Sequence, residues 1–431
     1  MAVSILLTFE SGSKFPPRGL ILNYRGMIVI SKKIREFAVA TAFVAVTLSS
    51  TPASALTINL FNLNNVTPGT DAFRGFRAAA NFWERVITTN STVNLNVGFS
   101  ALGPNILGST GSTTNGVFLE PFVQQLQSRS SSNLDRIATA SAQSFKPSVD
   151  GAGFGAYNFL VSGPRADGTG VAINPLQTVL DNDGSRNNNS LSVNTSLLKA
   201  LGVTPTYTGA NLANQIDGSV QFSTGFAFDF DPTNGIDANA FDFVAIAIHE
   251  IGHALGFRSG VDVYDGNTAF TGNLNNFTFL TQLDLFRFSA DSFALGVNDV
   301  RIGGTPYFSI DGGRTAFQNA FLSTGSRFGD GQQASHFKDA APGARQLGIL
   351  DPTIARGQQG IITSLDLAAF DAIGYDIAYD VIANGNREFT TLNPFFGAIP
   401  EPETWAMMIM GFGFVGGAMR RRSGSTKVTY A

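Results

Sequence analysis

The chain of 431 residues contains no cysteine. That absence excludes a disulfide framework, a thiolate nucleophile, a cysteine latch over an active site and any cysteine-ligated metal. A metal in this protein must therefore sit on histidine, aspartate or glutamate. Histidine is almost as scarce, with three residues, so each one bears on where a metal can bind. Charged residues make up 14% of the chain, against 43% hydrophobic residues with 38 phenylalanines. Such a composition builds a packed core and excludes wholesale disorder, while 47 glycines supply many turns. The length predicts one large domain, or two lobes, with tails.

Both ends carry targeting patterns. From Met27, "MIVISKKIREFAVATAFVAVTLSSTPASALTINL" has a basic start (Lys32, Lys33, Arg35), an apolar run from Phe37 to Leu48 and the small-residue site Ala53-Ser54-Ala55. This order predicts a secretory signal over 27–55, cleaved after Ala55. Residues 1–26 precede a complete signal, which predicts Met27 as the true start. At the other end, "PEPETWAMMIMGFGFVGGAMRRR" has an apolar run of 15 residues from Trp405 to Met419, then Arg420 to Arg422. The run falls short of the ~20 residues of an ordinary spanning helix and would be a marginal anchor by itself. The arginines would stay cytoplasmic, leaving the body outside. Residues 400–422 closely resemble the PEP-CTERM sorting signal of Gram-negative bacteria, in the variant P-E-P-x-x-W-A, here Pro400 to Ala406. The resemblance implies recognition by an exosortase-type processing enzyme, cleavage near the motif, and release or surface attachment after transient anchoring in the membrane. Residues 423–431 would form a cytoplasmic tail and 381–399 a linker.

The two tails hold ten basic and four acidic residues, leaving the body 18 basic and 28 acidic groups and a net charge of −10. An acidic exported body argues against nucleic acid as a partner.

Within the body, "TDAFRGFRAAANFWERV" places Phe73, Phe76, Ala80, Phe82 and Trp83 at helical spacing, with Thr70 or Asp71 as cap. "VNLNVGFSAL" alternates as a strand with Val93, Leu95, Val97 and Phe99 on one face. Residues 104–155 read as loop followed by the helix "GVFLEPFVQQLQSR". "NTSLLKALGV" reads as a short helix closed by Gly202, and Gly218 to Gly235 as a strand with a Pro/Asn/Gly stop. Beyond Phe257 the texture turns irregular until the helical "SLDLAAFDAIGYDI", Ser364 to Ile377.

Two of the three histidines fall in "DANAFDFVAIAIHEIGHALGF". Asp237 or Asn239 can cap a helix there, and Gly256 is placed to end it. Residues four apart share a helix face, so His249 and His253 project together, ~5.4 Å apart along the axis. Two neutral imidazoles at that spacing can share a zinc ion. Glu250, turned about 100° round the helix, can then face a water on the metal without ligating it. In that arrangement zinc activates water and polarises a peptide carbonyl, and the carboxylate carries the proton to the leaving amine. A core helix with hydrogen-bonded histidines is the plainer alternative, but burying two unpaired imidazoles and a carboxylate there would be costly.

Catalysis needs a third ligand. No glutamate occurs between Ile251 and Arg387, and the position three residues past Gly256 is Ser259, so a downstream glutamate and a close third histidine are both excluded. The remaining histidine, His336 in "QASHFKD", is the expected ligand, with Asp262 as the fallback. After it comes the tight apolar turn "LGILDP", Leu347 to Pro352.

These residues resemble metzincin zinc endopeptidases of the leishmanolysin kind, in which H-E-x-x-H-x-x-G-F is separated by a long insertion from a His followed by an aromatic. His249, Glu250, His253, Gly256, Phe257 and His336-Phe337 match. Gly348-Ile349-Leu350-Asp351-Pro352 stands where the family has its Met-turn, with Leu350 for the methionine, a volume-conserving change. The resemblance implies an α+β fold in two lobes. Residues 56–257 would form a twisted mixed sheet with two long helices, residues 258–380 an irregular lower lobe, with the zinc and a peptide substrate in the cleft between them. Leu350 and Gly256 would belong to the floor of the site. The resemblance also suggests an oxyanion tyrosine, for which Tyr264, Tyr307 and Tyr375 are candidates. Calcium is a further possible ion, at Asp229, Asp231, Asn234 and Asp237 or at Asp181 and Asp183, whose oxygens have loop spacing. The expected function is thus an exported zinc endopeptidase, with a non-catalytic surface or matrix protein holding a structural metal as the alternative.

Overall fold

The computed structural model describes residues 56–392, apart from 63–65, 144–147, 150–154, 174–175, 206–210, 268–269 and 342–343. The predicted signal segment and the C-terminal sorting segment lie outside the described residues.

The architecture is mixed α+β, with several small sheets. Its main sheet has four strands, β1 (Thr57–Asn62), β2 (Thr92–Ser100), β3 (Gly108–Ser112) and β4 (Gly218–Ser223), in the order β1-β2-β4-β3. β1 and β4 run parallel to β2, whereas β3 is antiparallel to β4, from Gly218 opposite Ser112 to Phe222 opposite Gly108. The alternation read in β2 is real: Val93, Leu95 and Val97 are buried and Phe99 packs partly against the core.

Helix α1 (Asp71–Val86) starts as predicted, with the Thr70 hydroxyl accepting the Phe73 N–H at 3.2 Å. Its apolar stripe, Phe76, Ala79, Ala80, Trp83 and Val86, is buried at the spacing of one helix face. The stripe meets helix α2 (Phe243–Leu255). Trp83 donates its indole N–H to the Ile248 carbonyl at 3.0 Å, and Phe76 stands edge-on to Phe222 and Phe243 at 5.2 and 5.0 Å. Each such aromatic pair contributes ~0.5–1.5 kcal/mol beyond its area burial, so sheet, α1 and α2 are locked at this junction.

Helix α2 begins later than Asp237 or Asn239 would have it. Asp242 is its cap, accepting the Ala245 N–H at 3.0 Å. The preceding residues are held otherwise: Asp229 accepts the Asp237 N–H at 2.9 Å, and Phe241–Asp242 pair in parallel with Phe228–Asp229. Gly256 ends the helix at φ +133°, a conformation that a side chain would strain.

Strand pairing crosses residues 257/258: Phe159–Ser162 pairs with both Thr178–Asp181 and Asn298–Asp299 in one sheet, and the apolar core of the described residues runs from Leu56 to Val381. Residues 381–392, expected to begin a linker, pack on the body: Glu388–Thr390 pairs with Ile361–Thr363, and the Thr391 hydroxyl bonds to the Asp242 carboxylate. The last helix among the described residues, α3 (Ser364–Ile373), ends at Gly374 and presses Phe370 on Trp83 at 4.6 Å.

Candidate metal centre

Helix α2 delivers His249, Glu250 and His253 to a cleft of about 840 Å³. Ser335 and His336, on a loop, line the same cleft. The three Nε2 atoms converge: His249 to His253 is 3.0 Å, and His336 stands 3.2 Å from each. Among the described residues this is the one set of three or more histidine or carboxylate side chains whose ligand atoms all lie within 4.8 Å of one another.

The other ring nitrogens explain why the three face inward. Nδ1 of His249 lies 2.7 Å from the Ile349 carbonyl, that of His253 2.7 Å from the Phe257 carbonyl, and that of His336 3.1 Å from the Gln333 carbonyl. A carbonyl only accepts, so each Nδ1 carries the proton and each Nε2 presents a lone pair. Burial also holds the rings neutral. It lowers the pKa of His249 and His336, the latter to about 3, and that of His253 well below its ordinary value, with its two neighbouring imidazoles adding to the effect. Three lone pairs then meet with no protein donor among them, an arrangement that a cation between them would satisfy. These residues could hold a metal ion, and the carbonyl partners are the outer contacts that orient metal-binding histidines.

Glu250 is buried beside them, which pushes its carboxyl up to about 7, and the Thr110 hydroxyl works against that shift by bonding Oε2 at 2.7 Å. Thr110 belongs to β3, the strand that runs along the cleft, and Gly108 of the same strand leaves the room the carboxylate occupies. A Cβ there would lie 2.6 Å from Oε1 of Glu250.

The remaining expectations divide. Leu350 is fully buried, with Cδ1 at the Gly252 face of α2, and neither it nor Gly256 lines the cleft; Ile349 and Asp351 do. Asp262 is not in the histidine cluster, since its carboxylate takes the Ala334 and Ser335 N–H groups at 2.6 and 3.0 Å. None of the three tyrosines lines the cleft: Tyr307 donates to the Gly313 carbonyl, Tyr375 to the Leu255 carbonyl, and Tyr264 packs on Phe279. Asp229, Asp231 and Asp237 accept backbone N–H groups two to eight residues ahead, as does Asp183, while Asp181 bonds the Asn187 amide.

Sequence reading missed Thr110, Gly108 and Asp366. Asp366 accepts the N–H groups of Ile349 and Leu350 at 2.9 and 3.1 Å and so shapes the turn beneath His249. The Thr363-x-x-Asp366 pattern, which forms a capping box at the start of α3, is the signal that would have pointed to it.

An α+β body with a three-histidine cluster is what fold and site define. The model of the PEP-CTERM protein-sorting motif matches residues 398–422. The motif makes this an exported protein sorted by its C-terminal segment and implies recognition by an exosortase processing enzyme. No curated protein and no solved structure matches the chain. Among the described residues, no helix is long and apolar enough to cross a membrane.

Proposed function

We propose that the protein is an exported zinc-dependent endopeptidase of the metzincin kind. The observation that carries this reading is the convergence of three Nε2 lone pairs, 3.0 to 3.2 Å apart, beside a buried carboxylate. Tetrahedral zinc with imidazole bonds of ~2.0–2.1 Å keeps its nitrogens ~3.3–3.4 Å apart, so the cluster fits with an opening of a few tenths of an ångström. Three protein ligands are the number that catalytic zinc sites use, whereas structural sites use four. Zinc held here supplies Lewis acidity, polarising a peptide carbonyl and lowering the pKa of water to ~7.

The chain's own groups do the rest. Glu250, steadied by the Thr110 hydroxyl, would accept a proton from water and return it to the leaving nitrogen. β3 is the edge of its sheet among the described residues, and lies along the cleft. Its free backbone groups suit an extended peptide, which favours a protein substrate over a small molecule.

Cleavage of denatured casein by the chain lacking its signal segment, beside its Glu250→Ala variant, tests the reading. Cleavage by the parent alone, with zinc in both, is expected. A parent that binds zinc and cleaves nothing would favour the non-catalytic surface or matrix protein.

A further inference from the structure

We infer that Asp262 is a positioning residue that fixes His336 against the metal helix, an inference that rests on the zinc reading above. Asp262 lies in the short helix Val261–Gly266, which follows α2 after one turn of chain. Both of its carboxylate oxygens are committed to one segment. Oδ1 accepts the Ala334 N–H at 2.6 Å, and Oδ2 accepts the Ser335 N–H at 3.0 Å together with the Ser335 hydroxyl. The Ser335 oxygen in turn accepts the Ser259 N–H at 2.9 Å. Four hydrogen bonds thus tie residues 259–262 to the two residues that precede His336.

The clamp answers a problem of chain geometry. His253 and His336 are separated by 83 residues, so nothing local sets the third ligand against the first two. Residues 259–262, by contrast, continue directly from α2, and their own place is fixed: the Ser259 hydroxyl and the Gly260 N–H donate at 2.6 and 2.8 Å to Asp284, which is fully buried. All three groups facing Asp262 are donors, so a carboxylate fits and an amide of the same shape would set its NH₂ against an N–H or O–H. Outer residues of this kind typically alter metal affinity ~10–100-fold when changed, without touching the ion.

The test is zinc affinity of the full chain, read by competition with a chromogenic chelator, in a cycle of Asp262→Asn and His336→Ala. Asp262→Asn is expected to weaken zinc ~10-fold or more in the otherwise unchanged chain. In the His336→Ala background the same change should weaken it by less than ~2-fold, because the group it positions is gone. Equal losses in both backgrounds, or none in either, would overturn the inference and leave the zinc reading intact. A parent chain that binds no zinc would overturn both. Unfolding of the metal-free variants is followed in parallel. If Asp262→Asn does not fold, Ser335→Ala, which spares both backbone donors to Asp262, takes its place in the cycle with several-fold weakening as the expected result.

Discussion

His249 and Ile349 lie 100 residues apart, yet Nδ1 of the first is 2.7 Å from the carbonyl oxygen of the second. The turn that carries this carbonyl is held from below by Asp366, to which Ile349 and Leu350 donate their N–H groups. Asp366→Ala leaves those two buried donors unpaired, at ~1–3 kcal/mol each. A loss of about 2–6 kcal/mol in urea unfolding is expected, with weaker metal binding through His249. Unchanged stability would show that the turn stands without Asp366.

Gly108 and Glu250 make a second long-range pair. A Cβ on residue 108 would meet Oε1 of Glu250 at 2.6 Å and its Cγ at 3.0 Å, and Cγ2 of Ile246 at 3.0 Å. The carboxylate is the mobile partner, so Gly108→Ala should push it from Thr110 and leave the histidines in place. Proteolysis is expected to fall ~100-fold, the cost of a displacement of about 1 Å at a reacting group, with zinc content unchanged. Parallel loss of zinc and activity would mean that the helix itself had moved.

These two pairs also mark what the sequence could tell. The spacing of His249, Glu250 and His253 was legible because a helix converts a four-residue interval into a shared face. His336 was legible by scarcity, since no other histidine remained. β3 was not: "GSTGS" has no hydrophobic alternation and a single β-branched residue, Thr110. It is a strand because it pairs with β4, more than a hundred residues away, and its residues are small where Glu250 presses on Gly108. The start of α2 was misplaced because Asp237, Asn239 and Asp242 are all good caps, and only the pairing of Phe241–Asp242 with Phe228–Asp229 decides among them.

Asp371 gives the stability a pH dependence. Burial pushes its carboxyl up to about 8, the nearby Asp135, Asp376 and Asp380 add to the effect, and the Ser132 hydroxyl, 3.0 Å from both oxygens, offsets part of it. An unfolded aspartate titrates near ~3.9, so between about 4 and about 8 the folded chain holds a proton that the unfolded chain has lost. The stabilisation is complete below ~4 and fades as pH rises through about 8. Asp371→Asn stays neutral at every pH and should flatten this slope. Urea midpoints of parent and variant at pH 5 and pH 9 check it; parallel shifts of the two proteins would discount Asp371 as the source.

Leu350 stands where the proposed metzincin reading expects the methionine of a Met-turn, and its surroundings say what the leucine costs there. The side chain is fully buried, and Cδ1 stands 3.4 Å from where a Cβ on Gly252 would be, between His249 and His253 on α2. What this place requires is apolar volume, because the polar work of the turn is done by the Ile349 carbonyl and the Asp366 carboxylate through the backbone. Leu350→Met keeps the volume and should cost less than ~1.5 kcal/mol, with zinc affinity and proteolysis within a few-fold of the parent. Leu350→Ala empties the space beneath α2 and should cost ~2–5 kcal/mol. Should the methionine variant instead raise activity tenfold or more at equal zinc content, the thioether would have a role that packing cannot supply, and the leucine would mark an enzyme weakened at this turn.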